Sequence, residues 1–182
     1  MFSNESSAVF DLATQLLIPA AIVAFALWRG AKARARGADE CIRAWTKRAC
    51  WCFLVWGAFL ILCVPILYRI ERLPVDQQQG GAALFGLLAG VPVGIVFVVG
   101  VFHAVMVWRG RWIRLLLIPT AVAAGFFFLD EYRTEPLVAA PWDSVAGGVY
   151  ALIMLVASIC GLRQLGRGSG QREAFPSPRP GT

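Results

Sequence analysis

Residues Ala82–Trp108 read AALFGLLAGVPVGIVFVVGVFHAVMVW, 27 positions without an Asp, Glu, Lys or Arg. As a helix this run would extend about 40 Å, more than the roughly 30 Å of hydrocarbon in a bilayer. Gly86, Gly90 and Gly94 recur at intervals of four within it, Ala82 extends the series backwards, and Pro92 sits between two of the glycines. Glycine costs about 1 kcal/mol relative to alanine in a water-soluble helix. In lipid the balance changes. There is no hydrophobic drive between helices there, and association depends on the close van der Waals approach that small residues permit. Neighbouring groups can also satisfy the carbonyl that a proline frees. Ala82, Gly86, Gly90 and Gly94 are therefore read as a helix-packing face. Its partner could be another span of the same chain or a second copy, or it could be a moving or pore-lining face.

Four more apolar segments flank this one, at about Val9–Trp28, Ala49–Tyr68, Ile113–Leu129 and Ser144–Leu162. The chain of 182 residues is 58% apolar and 15% charged, with a mean hydropathy of +0.66. A soluble domain is nearer 45–50% apolar and about 25% charged. The charges here cluster between long blank runs, the pattern of transmembrane helices. The fold expected is an all-α integral membrane protein of five transmembrane helices with short loops. Residues 1–8 form a short external N-terminus, 9–162 the membrane domain, and 163–182 a Gly/Ser/Pro-rich disordered cytoplasmic tail.

Orientation follows from where Lys and Arg fall. The segment Arg29–Arg48 carries seven, Arg109–Arg114 three and the C-terminal tail four, whereas the two remaining loops together carry three. Fourteen against three places the N-terminus outside and the C-terminus in the cytoplasm. The net charge of +6 is thus a topology signal, and no nucleic-acid partner is inferred. A cleaved signal peptide would need basic residues before the first apolar run, yet MFSNESSAVFD has none and WRGAKARAR follows the run. Trp28, Trp51, Trp108 and Trp112 fall at the inner interface and Trp142 at the outer one, as amphipathic rings do. Trp56 falls nearer mid-membrane, where packing is its expected role.

Between Ala38 and Ala49 the residues Ala38, Cys41, Ile42, Trp45 and Ala49 recur at three or four, opposite Asp39, Arg43, Lys47 and Arg48. This spacing predicts an amphipathic helix, 38–49, lying on the inner leaflet. LLIPAAIVAFAL (Leu16–Leu27) and LLIPTAVAAGFF (Leu116–Phe127) share a pattern in helices of opposite direction. Inverted repeats are a transporter feature, but five spans do not divide into two equal halves.

Few residues carry chemistry. His103 is the single histidine and lies in the third span, about 8 Å from the inner interface. Thr120 and Ser158 fall at comparable depth on the fourth and fifth spans, so a hydrogen-bonded polar layer joining the three helices is expected, with a proton-linked or ligand-binding role as the alternative. Asp11 and Gln15, four apart near the outer end of the first span, share a helix face. A lone histidine excludes bis-histidine haem within one protomer. Cys41, Cys50, Cys52, Cys63 and Cys160 avoid the outer loops, and Cys50-Trp-Cys52 lacks the spacing of redox or zinc sites. No metal and no cofactor is expected.

Asn4-Glu5-Ser6 matches a glycosylation sequon but stands too near the first span for use. Arginine outnumbers lysine fifteen to two in an Ala/Gly-rich chain, a composition associated with GC-rich bacteria. No H-E-x-x-H, G-x-S-x-G, P-loop or G-x-G-x-x-G occurs. The function expected is non-catalytic: an accessory, assembly or scaffold subunit of a bacterial inner membrane, associating with itself or with a larger membrane protein. The alternative is a small oligomeric channel or transporter for an unidentified solute.

Overall fold

A computed structural model describes residues 3–131 and 142–174. It consists of α1 (Ser3–Ala35), α2 (Asp39–Glu71), α3 (Val75–Phe85), a π-turn (Gly86–Gly90), α4 (Val91–Met106), α5 (Arg111–Glu131) and α6 (Trp142–Ala174). No strand occurs among the described residues. Three helical segments are long and apolar enough to cross a membrane: Asp39–Ile66, Gln77–Met106 and Val145–Arg167.

Helix α2 is the axis of the bundle, packing chiefly on α4 and α6, while α1 leans on α4 and α5 on α6. Phe53 and Trp56 of α2 hold Phe97 of α4 between them, with ring centroids 5.9 and 4.5 Å away. Phe59 stacks on Phe85 at 5.8 Å, one step further along. Trp56 is thus a packing residue, in keeping with its mid-span position. Offset and edge contacts of this kind add about 0.5–1.5 kcal/mol each beyond the area they bury.

The buried core is concentrated towards one end of the bundle. Ala26, Ala49, Cys50, Phe53, Ala104, Met106, Ile113, Leu116 and Met154 are among its members. In α1, α2, α4 and α5 these residues lie in the half nearer the basic segments 29–48 and 109–114, whereas Met154 lies in the first half of α6. Towards the other end large apolar side chains such as Leu62, Leu88, Ile95 and Phe126 are exposed. The helices are locked together at the basic end and leave their apolar surface uncovered beyond it.

Helical structure runs past the apolar segments that predicted it. Residues 38–49, expected as a separate surface helix, are instead the cap and opening turns of the 33-residue α2. No Pro or Gly lies between Asp39 and Gly57 to break the hydrogen-bond ladder, so the amphipathic stretch continues straight into the apolar one. At about 50 Å, α2 exceeds the hydrocarbon thickness. Helix α6 runs on through 163–174, the first part of the tail expected to be disordered. Residues 175–182 lie outside the described residues. The third helix begins at Val75, after Pro74, rather than at Ala82.

Local chemistry explains the breaks. Gly37 turns the chain between α1 and α2 with a φ of 68°, a left-handed conformation that closes a helix without Cβ strain. Leu73-Pro74 separates α2 from α3, with Pro74 at φ −53° and ψ 144° on the N-cap. The π-turn lies just ahead of Pro92. There the Val91 N–H reaches back to the Gly86 carbonyl, five residues away. A proline ring collides with the carbonyl four residues earlier, and a widened turn is one way to relieve it.

Candidate functional site

The glycines fall into two groups, and the regular series is not the one that packs. A Cβ placed on Gly86, Gly90 or Gly94 would meet nothing within 4 Å outside its own helix backbone. Among the described residues, no other span comes within 4 Å of the Cβ positions at Gly86, Gly90 and Gly94. Ala82 is exposed and the three glycines are half-covered. Only 6% of the most apolar window of Gln77–Met106 is buried within the chain, against 22% and 28% for the other two spans. The third span thus keeps the freest surface of the three.

Close approach occurs instead at Gly30, Gly57, Gly100 and Gly161. A Cβ on Gly100 would lie 2.6 Å from Cys52 Cβ, and one on Gly161 2.9 Å from Cys50 Sγ. A Cβ on Gly57 would sit 3.1 Å from the Ala151 carbonyl oxygen. At Gly30 it would collide with the Met106 carbonyl group and lie 2.7 Å from its carbon. One turn after Gly30, Arg34 Nη1 donates to the Met106 oxygen at 3.0 Å. Met106 ends α4, where carbonyls lack intrahelical partners and carry partial negative charge. Gly30 admits the contact and Arg34 caps it.

The three polar residues expected to form one layer are placed separately. His103 is half-buried, and its Nδ1 lies 2.7 Å from the Val99 carbonyl of its own helix. Thr120 Oγ1 donates to the Leu116 carbonyl at 2.7 Å and stands 3.2 Å from the Tyr150 hydroxyl, so the polar link between α5 and α6 runs through Tyr150. Ser158 is fully buried and its hydroxyl has no partner, as is true of Trp56 Nε1. A helical Ser or Thr hydroxyl reaches its own i−4 carbonyl readily, as Thr120 does. Asp11 and Gln15 belong to α1, and their side chains lie outside the described residues.

Cys50 is buried, Cys41 exposed, and Cys52, Cys63 and Cys160 are intermediate; all five are free thiols. At the basic end the Trp112 indole N–H donates to Gln164 Oε1, tying the start of α5 to α6. Lys32 Nζ sits 5.2 Å from the Trp28 ring centroid and the Arg111 guanidinium 5.8 Å from that of Trp112. Trp28 and Trp51 are about half exposed. Such pairs of ring and cation suit a membrane–water boundary. No protein-family model matches this chain, and no curated protein or solved structure matches it either.

Proposed function

We propose that this protein is a non-catalytic, five-span protein of a bacterial inner membrane that works by helix association, as an accessory, assembly or scaffold subunit. In this reading α1 and α5 join the three longer spans, the N-terminus is outside, and the basic end of the bundle faces the cytoplasm. The observation that carries the reading is the open glycine face. The series Ala82, Gly86, Gly90, Gly94 has the spacing of a tight helix contact, and no other described segment approaches its three glycines within 4 Å. Small residues without a partner sacrifice dispersion energy, and a helix from a second copy or a different membrane protein would recover it.

Support also comes from the division of the bundle. The basic end holds much of the fold through Gly30, Gly100 and Gly161, so a partner could meet the glycine face of the third span without loss of that core. Positive-inside bias supports the orientation.

The test is the mass of the gently solubilised complex, by light scattering with mass-spectrometric identification of its contents, for wild type and Gly90→Leu. The expected wild-type result is an assembly larger than one 19.8 kDa chain that dissociates in the variant. A homo-oligomer would point to self-assembly and a heteromer to a subunit role. A wild-type monomer with no bound protein would refute the proposal.

A further inference from the structure

Helix association leaves one surface of the basic end without a role. Arg109, Arg111 and Arg114 fall within six residues, where α4 gives way to α5. The Trp112–Gln164 hydrogen bond fastens this segment against α6. Gln164 adjoins Arg163 and lies three residues, about one helical turn, before Arg167. Five arginines therefore belong to the two segments that meet where the start of α5 packs on α6 near Gln164, and all five residues are exposed.

This patch has the wrong chemistry for a plain solvated end. Neither 109–114 nor 160–167 contains an Asp or Glu. Arg114 Nη2 donates to the Arg109 carbonyl at 3.3 Å, and the Arg111 guanidinium lies near the Trp112 ring. These contacts position two of the cations without neutralising them. The ground beneath is firm, because a Cβ on Gly161 would already stand 3.3 Å from the Trp112 Cβ. Trp108, 40% exposed, and Trp112 border the cluster at the level where indole rings meet headgroups.

We infer that this α5–α6 corner binds the headgroup of an anionic phospholipid. Guanidinium groups offer paired N–H donors that match two phosphate oxygens at once. Clusters of Lys and Arg beside a membrane span attract acidic lipids, each cation adding to the binding. The inference rests on the membrane-spanning reading, and it is independent of whether the glycine face has a partner.

The full-length protein in neutral detergent would be titrated with phosphatidylglycerol, phosphatidylcholine and inorganic phosphate at fixed ionic strength. Native mass spectrometry would count retained lipid, and thermal unfolding would report stabilisation. Phosphatidylglycerol is expected to remain bound and to raise the midpoint, with little response to the other two. The triple variant Arg111→Gln, Arg163→Gln, Arg167→Gln should weaken phosphatidylglycerol binding about tenfold or more. An equal charge change elsewhere, Arg29→Gln, Arg36→Gln, Arg43→Gln, should alter it by less than about threefold, and Lys at the first three positions should restore part of the loss. Unchanged helical content would certify that each variant is folded. Equal weakening by both triple variants, or equal retention of phosphatidylcholine, would overturn the site. A response to inorganic phosphate matching that to phosphatidylglycerol would mean an adventitious ion only, and would overturn the lipid assignment.

Discussion

Substituting Gly30 by alanine tests how the bundle is held. The added methyl would overlap the Met106 carbonyl oxygen and stand 2.7 Å from the carbonyl carbon, where carbon atoms prefer about 3.5–4.0 Å. Both atoms belong to backbone, so no rotamer change relieves the contact, and α1 must retreat by roughly 1 Å. A retreat of that size stretches the Arg34–Met106 hydrogen bond from 3.0 Å beyond its useful range. Overpacking of this kind costs about 1–3 kcal/mol, and loss of a hydrogen bond from a charged donor about 1.5–3 kcal/mol. Alanine regains about 1 kcal/mol in helix propensity, leaving a net loss of roughly 1.5–5 kcal/mol. Cys50 is fully buried, so a thiol-reactive fluorophore follows thermal unfolding, best on a Cys41→Ser background because Cys41 is exposed. The midpoint should fall well below that of Gly90→Ala, whose added methyl meets nothing within 4 Å. Adding Arg34→Gln to Gly30→Ala should cost much less than Arg34→Gln does alone, because the hydrogen bond is already broken. Equal midpoints for Gly30→Ala and Gly90→Ala would refute the reasoning.

Other substitutions probe separate parts of the molecule. Gly90→Leu should leave the Cys50 unfolding midpoint of the detergent monomer within about 1 °C of wild type while abolishing the larger assembly; a large drop would show that the glycine face packs inside the chain. Thr120→Val removes the link to Tyr150 and should destabilise by about 0.6–1.7 kcal/mol, the span measured for hydrogen bonds between membrane helices, with Tyr150→Phe giving no additional loss on that background. Ser158→Ala deletes a buried hydroxyl that has no partner and should be neutral or stabilising by up to about 1 kcal/mol; a clear fall in the same unfolding assay would mean the hydroxyl is bonded.

Hydropathy located the helical stretches, because a long apolar run that must satisfy its backbone groups internally does so most locally as a helix. It could not locate where the helices stop. Apolar content ends near Leu162, but α6 continues through Gln164 and Gln171, because a helix does not stop merely where it turns polar. The core was legible only in part. Gly86, Gly90 and Gly94 form a series visible in one dimension, whereas Gly30, Gly57, Gly100 and Gly161 each meet a different partner and share no period. Their signal is three-dimensional. Among polar residues, depth singled out His103, Thr120 and Ser158, but which hydroxyl faces which depends on helix rotation. Tyr150, the residue that answers Thr120, carried no sign of this in the sequence.

The π-turn at Gly86–Gly90 has a consequence for how a partner helix would lie. In an unbroken α-helix, residues four apart drift by about 40° around the axis, so Gly86 and Gly94 would point about 80° apart and their row would wind across the surface. A π-turn takes more residues per revolution, and its steps lag where those of the α-helix lead. The lag over Gly86–Gly90 opposes the lead over Gly90–Gly94, and the three glycines straighten into a file along the axis. A straight groove favours a visitor aligned with α4 over one crossing it steeply. Pro92, by enforcing the wide turn, thus sets the angle at which this surface can be met.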